Sequence, residues 1–156
     1  MTDIASIADE LAARADRFAE LKAAGAAADP QALSLEITRR CIARCVMCNI
    51  WKTPKDLPEL SAEQWLSVLR SPFLHDLREL DITGGEPFLR DDIEELLLGI
   101  GDLYGSNLTR LSSVAITTNG FLTDRILEVI GRVAPAYRDE GLGLVFACGL
   151  DAIGEK

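Results

Sequence analysis

Residues 32–51 read ALSLEITRRCIARCVMCNIW, and this run decides the architecture. Its first half alternates, with apolar Leu33, Leu35 and Ile37 set between polar Ser34, Glu36 and Thr38. Alternation of period two predicts a strand with one face buried and the other polar. At the C-terminal end of that strand stand Cys41, Cys45 and Cys48, spaced by three and then two residues. A loop this short brings three sulfurs to a common centre, so three thiolates can wrap around one inorganic cluster. A [4Fe–4S] cluster held by thiolates normally uses four of them. Three leave one iron open to a non-protein ligand, and chemistry can take place there. The rival is structural zinc, which wants four ligands; the remaining Cys148 and the single histidine, His75, lie far off in sequence.

Outward from this run the chain keeps alternating between two periods. Ser61 and Gln64 form a capping-box pattern that opens a helix bearing Trp65, Val68 and Leu69. A second strand, ELDIT, leads into Gly84-Gly85-Glu86-Pro87; Asp91 and Glu94 then open a helix with Ile93, Leu96, Leu97 and Ile100 on one face. The third strand, VAITT, ends in Asn119-Gly120, which reads first of all as a turn. A helix from about Thr123 follows, with Ile126, Val129, Ile130 and Val133 as its stripe, and GLVFACGLDA gives a fourth strand. Both stripes are core packing. Strand–helix alternation of this kind predicts a parallel sheet with right-handed crossovers. The polar motifs all fall at strand C-terminal ends, where β/α barrels assemble their sites. If the apolar strand residues face the helices, the opposite face offers Ser34, Glu36, Thr38, Asp81, Thr83, Ala115 and Thr117. A closed barrel would fill its centre with branched apolar side chains, so a polar inner face implies a partial or open barrel with a lumen.

The N-terminus carries Ile4, Ile7, Leu11, Phe18 and Leu21 at helical spacing, and Gly25 and Pro30 stop that helix. Residues 1–30 are therefore a helical extension, and residues 31–156 the strand–helix core domain, incomplete after its fourth strand. The chain has 156 residues, a net charge of −9 and 48% hydrophobic residues, an ordinary soluble domain. Its acidity argues against nucleic-acid binding, which leaves a basic footprint; Arg39 and Arg40 are a pair and read as solvated. The first 18 residues are charged from the third onward and lack an unbroken apolar stretch, unlike a signal peptide or membrane span. The expected compartment is the reducing cytoplasm, where close cysteines suggest metal and not disulfides. Cys148, in an apolar strand, reads as a small buried hydrophobe, and His75 as a residue of a loop or helix end.

Three motifs on three successive strands carry a resemblance. Cys41-x3-Cys45-x2-Cys48, Gly84-Gly85-Glu86-Pro87 and Thr117-Thr118-Asn119-Gly120 together resemble the radical S-adenosylmethionine (radical SAM) superfamily, from about residue 31 to the end. CVMCNIW and TGGEPFLR look like its branch of Fe–S oxidoreductases that mature cofactors and peptides. The resemblance implies an α/β partial (β/α) barrel, truncated after the fourth parallel strand because the family's full barrel continues. It implies a [4Fe–4S] cluster on Cys41, Cys45 and Cys48, with SAM chelated at the open iron. Reductive cleavage of SAM would then give a 5′-deoxyadenosyl radical that abstracts hydrogen from an unidentified substrate. The cofactor supplies the hard chemistry, while the protein positions it. Gly84, Gly85, Glu86 and Pro87 are assigned by resemblance to the ligand's amino group, the glycines permitting close backbone approach. Met47 stands where the family commonly has an aromatic against adenine, and a thioether can pack on a ring. Gly149-Leu150-Asp151 replaces a frequent Ser-Leu-Asp, leaving Asp151 for the ribose, and Asn119 is a further ligand-facing candidate. Partners are then SAM, the substrate and an electron donor such as a flavodoxin or ferredoxin, with neither nucleic acid nor membrane. The alternative is a catalytically silent, truncated Fe–S or interaction module; a simple electron carrier gains nothing from an open iron.

Overall fold

Four strands lie side by side in chain order: β1 (Ala32–Thr38), β2 (Glu79–Gly84), β3 (Ser113–Thr118) and β4 (Gly143–Cys148), every neighbouring pair parallel. The structure is a computed structural model that describes residues 3–149; the candidate Asp151 lies outside them. The N-terminal helix is α1 (Ile4–Ala23), and α2 (Ala62–Leu69), α3 (Ile93–Tyr104) and α4 (Thr123–Glu140) run between successive strands. Parallel neighbours cannot be joined by tight hairpins, so each pair needs such a crossover. The result is the expected α/β partial barrel with a leading helix.

The strand register explains the two faces. Leu33, Leu80, Val114 and Leu144 form one cross-strand row, and Leu35, Ile82, Ile116 and Phe146 the next. Against these rows pack Leu66 and Leu69 of α2, Ile93, Leu96, Leu97 and Ile100 of α3, and Val129 and Val133 of α4, all buried. Burying each such side chain contributes about 1.5–3 kcal/mol, so the helical stripes read from sequence are the core. Tyr137 joins them, its hydroxyl donating to the Leu97 carbonyl at 2.8 Å, and burial pushes the phenol's pKa up. The other face stays polar: the row below holds Ser34, Asp81 and Ala115, with Ser34 donating to Asp81 at 3.0 Å.

Helix α2 starts as its sequence predicts. Ser61 accepts from the Gln64 N–H, and the Gln64 side chain accepts from the Ser61 N–H at 2.9 Å, a complete capping box. A third support comes from Asp92, just before α3, which accepts the Ala62 N–H at 2.8 Å and takes a paired grip from Arg90. Asp92, not Asp91, is the residue at the start of α3, and its carboxylate serves α2.

Two expectations, for Thr38 and Cys148, are corrected. Helix α1 keeps its apolar stripe on the surface: it has no buried residue, and Ile4, Ile7, Leu11 and Phe18 are exposed. Its ties are polar, from Arg14 to Gln31 and from Arg78 to Glu10. Thr38 is buried and absent from the open polar face, because the register shifts between Glu36 and Thr38 and turns it inward. Cys148 is exposed, as are Val145, Phe146 and Ala147, because β4 is the edge of the described sheet. The side chains of Arg39 and Arg40 remain solvent-exposed, at 57% and 39%, and each also faces a carboxylate, Glu36 at 2.9 Å and Glu59 at 3.4 Å.

Burial raises the pKa of Asp92, but the hydrogen bonds from Arg90 and Ala62 outweigh it and hold the carboxyl below its ordinary 3.8. In the unfolded chain Asp92 takes its proton at higher pH than in the folded one, so acid favours unfolding. The stabilisation is complete above the unfolded value and is lost as pH falls through the lower folded one. Urea midpoints at about pH 5 and about pH 3 should therefore differ less in Asp92→Asn than in the wild type; an equal difference in both would exclude this contribution.

Candidate cluster and cofactor site

The cysteine loop is fixed at its root by one carboxylate. As Thr38 turns inward, its hydroxyl donates to Glu59 Oε1 at 2.7 Å, and the Arg39 N–H donates to the same oxygen at 3.0 Å. The Thr38 hydroxyl also accepts the Arg40 N–H at 3.1 Å, while Glu59 Oε2 faces Arg40 at 3.4 Å and Arg90 at 3.8 Å. Partial burial raises the Glu59 pKa, but the Thr38 and Arg39 hydrogen bonds and the two guanidiniums prevail and hold it below 4.5. Beyond this root the chain runs free of regular structure to Cys45, where the Cys48 N–H closes a turn on the Cys45 carbonyl at 3.2 Å. Cys41 and Cys45 are partly exposed and Cys48 is exposed, with Met47 beside it 69% exposed. A single 3-10 turn, Ile50–Lys52, ends the loop, and Arg44 and Lys52 lie over the Trp51 ring at 5.7 and 5.1 Å.

Gly84 and Gly85 dock the β2 end against this loop. The Gly85 N–H donates to the Thr38 carbonyl and the Glu86 N–H to the Arg40 carbonyl, both at 2.8 Å. A Cβ on Gly84 would stand 2.2 Å from the Thr38 oxygen, and one on Gly85 2.2 Å from the Arg40 oxygen. Gly84 also sits at φ +129°, which L side chains rarely adopt. The close approach these glycines permit in the structure is to the backbone that leads into Cys41.

Glu86 makes its side-chain hydrogen bonds within the protein. Its side chain is 0% exposed. Oε1 accepts from the Phe88 N–H at 3.2 Å and the Thr118 hydroxyl at 2.9 Å, and Oε2 accepts from the Asn119 N–H at 2.8 Å. A buried carboxylate is tolerated only when hydrogen-bonded, and three donors on the protein meet that need. The carboxylate therefore ties β2 to β3. Pro87 opens the 3-10 turn Pro87–Leu89 and is buried beside it. Arg125 of α4 closes that turn from outside, donating to the Phe88 and Arg90 carbonyls at 2.7 Å each. Arg90 is buried and donates inward to the Ile37 carbonyl at 2.7 Å and the Leu60 carbonyl at 2.8 Å.

Asn119 meets the cysteine loop directly, its Nδ2 lying 3.7 Å from Cys41 Sγ. The structure thus brings Cys41, the Gly84–Pro87 turn and Asn119 to one corner, at the C-terminal ends of β1, β2 and β3. Met47 lies on the same loop as the cysteines with its side chain in solvent. Sequence reasoning missed Thr118, Glu59, Arg90 and Arg125. Only Thr118 had a visible signal, as the second threonine of the run before Asn119-Gly120.

The donor set suits an iron–sulfur cluster. Among the described residues no three Cys, His, Asp or Glu side chains are gathered for a single metal ion. The expected convergence of the three sulfurs on one centre is thus not seen; a cluster, which would take each sulfur on a different iron, would be held by Cys41, Cys45 and Cys48. Three cysteines on one loop, at the strand ends of a parallel half-barrel and beside a glycine-docked turn, are the residues that would hold such a cluster in this α/β protein. The match to a known family agrees: residues 35–153 fit the model of the radical SAM superfamily, and the chain belongs to it. That family uses a [4Fe–4S] cluster and SAM. Among its relatives, a probable GTP 3′,8-cyclase of Archaeoglobus fulgidus is 32% identical over 96 residues, which is 62% of this chain and 30% of that protein. The GTP 3′,8-cyclase of Pelotomaculum thermopropionicum is 33% identical over 93 residues, 58% of this chain and 27% of the relative. The mitochondrial GTP 3′,8-cyclase of Arabidopsis thaliana is 31% identical over 126 residues, 78% of this chain and 27% of the relative. The matched chain thus spans less than a third of each relative. Among the described residues no helix is long and apolar enough to cross a membrane.

Removing the Glu86 carboxylate would leave three donors at the strand ends unpaired, at about 1–3 kcal/mol for each buried group. Glu86→Ala should lower stability by roughly 3 kcal/mol or more by urea denaturation and loosen the Asn119 turn. A change under about 0.5 kcal/mol, the ordinary range of surface substitutions, would show that the tether carries no stability.

Proposed function

We propose that residues 31–156 are the N-terminal part of a radical SAM enzyme core, which binds a [4Fe–4S] cluster through Cys41, Cys45 and Cys48 and cleaves SAM reductively. The observation that supports this best is the docking of the cysteine loop on the Gly84–Glu86 backbone, which holds Cys41 at the C-terminal corner of three parallel strands. When bound, the cluster supplies the electron that breaks the sulfonium bond of SAM, giving methionine and a 5′-deoxyadenosyl radical. The chain's own part is to place and enclose. Backbone groups of Gly84–Pro87 would take the methionine amine, Met47 would pack on the adenine, and Asn119 and Asp151 are the candidates for the nucleoside. The electron comes from a low-potential donor such as a flavodoxin or ferredoxin, in a reducing compartment such as the cytoplasm. Residues 1–30 form a separate extension, in keeping with α1 burying no residue in the core. The strand ends described hold cofactor elements, so the reading is of SAM cleavage and not of a particular substrate such as the cyclases' GTP.

Anaerobic reconstitution should load about four irons per chain, and reduced protein given SAM should release 5′-deoxyadenosine. Alanine at Cys41, Cys45 or Cys48 should abolish iron loading, while Cys148→Ala should keep it. Iron retained in all three single variants would remove the cluster from this loop. A loaded cluster with no 5′-deoxyadenosine would leave the silent Fe–S module as the better reading.

A further inference from the structure

The corner that holds Cys41 contains one polar side chain aimed at the sulfur, and its orientation is decided by the protein. The Asn119 Oδ1 accepts the Phe121 N–H at 3.0 Å, which identifies that atom as the oxygen and leaves the amide NH2 on the other side. That NH2 is 3.7 Å from Cys41 Sγ, within reach of an acceptor larger than oxygen. The Asn119 backbone is held as well, its N–H donating to Glu86 Oε2 at 2.8 Å. The next residue, Gly120, turns at φ +76° and donates its N–H to the Thr118 hydroxyl at 3.1 Å. Asn119 is thus pinned at its backbone and its side-chain oxygen, and the amide end of its side chain points at the Cys41 sulfur.

We propose that Asn119 sets the reduction potential of the cluster by donating an N–H···S hydrogen bond to Cys41, an inference that rests on the three cysteines being the cluster ligands. Adding an electron to a cluster increases negative charge on its sulfurs. A donor on a ligand sulfur stabilises the reduced state more than the oxidised one and raises the potential. Asn119 therefore acts on the ease of electron entry, through Cys41, and contact with the nucleoside is not required for that effect.

The test is an EPR-monitored potentiometric titration of the full chain, anaerobically reconstituted, in the wild type, Asn119→Ala and Asn119→Asp. Asparate at this position keeps an oxygen for the Phe121 N–H and so preserves the turn, but it cannot donate an amide hydrogen to the sulfur. Both variants should load iron as the wild type does and show a more negative midpoint. In Asn119→Ala the expected change is up to tenfold in the one-electron equilibrium, about 59 mV. Pulsed EPR of the reduced wild type in D2O should also show an exchangeable deuteron coupled to the cluster that is missing from Asn119→Ala. An unchanged midpoint in Asn119→Ala at normal iron content, or the same deuteron coupling, would overturn the proposal. Should Asn119→Ala lose iron, Asn119→Asp decides by its pulsed EPR, because its added charge shifts the midpoint by itself: the wild-type deuteron coupling retained in that variant refutes the donated hydrogen bond. Failure of the wild type itself to load a cluster would instead overturn the cluster reading, and this inference with it.

Discussion

The buried carboxylate of Glu86 is the constraint on which the site depends. Parallel strands end in separate loops, and nothing in a β-ladder fixes where those loops lie relative to one another. Here one residue joins three of them: its backbone N–H holds the Arg40 carbonyl of the cysteine loop, and its carboxylate holds Thr118 and Asn119 at the end of β3. An unpaired charge at 0% exposure would cost several kcal/mol. With three donors in place that cost turns into specificity, because any displacement of β3 takes Thr118 and Asn119 away from the same charge.

Arginines complete the frame from the helical side. Arg90 reaches from the β2 turn to the Ile37 carbonyl of β1 and the Leu60 carbonyl before α2, and Arg125 reaches from α4 to the carbonyls of Phe88 and Arg90. These four bonds satisfy carbonyls that irregular backbone would otherwise leave unpaired. Below them the apolar rows of the sheet supply most of the folding energy but carry no information about the loops. Stability and placement are therefore handled by different layers of the same half-barrel.

The sequence reveals what is local and hides what is not. Alternation in β1, the Ser61–Gln64 capping box and the stripes of α3 and α4 are each written within a few residues, and each reappears in the structure. The cysteine spacing and the Gly84–Pro87 run are equally local, so the corner of the site was visible too. Glu86 and Thr118 are 32 positions apart and meet only after the β2–β3 crossover is built, so no spacing rule points to their bond. The inward turn of Thr38 follows from a register shift that depends on the partner strand. Cys148 misled for a simpler reason: an apolar strand is buried only where a neighbour lies over it.

The charges around the cysteine loop bear on how a cluster there could be tuned. Arg39 faces Glu36 at 2.9 Å and Arg40 faces Glu59 at 3.4 Å. Arg44 and Lys52 are drawn over the Trp51 ring. Each of these cations already has an opposite charge or a π face beside it, which weakens the field it presents to the sulfurs. The chain as a whole carries −9, a sign that opposes adding an electron to an anionic cluster. Under those conditions a neutral dipole held close to one sulfur has an advantage over a more distant charge. It acts at short range, is little screened by salt, and keeps its direction because Phe121 and Glu86 fix the residue that bears it. The buried network that orders the strand ends thus also orients the group best placed to act on Cys41.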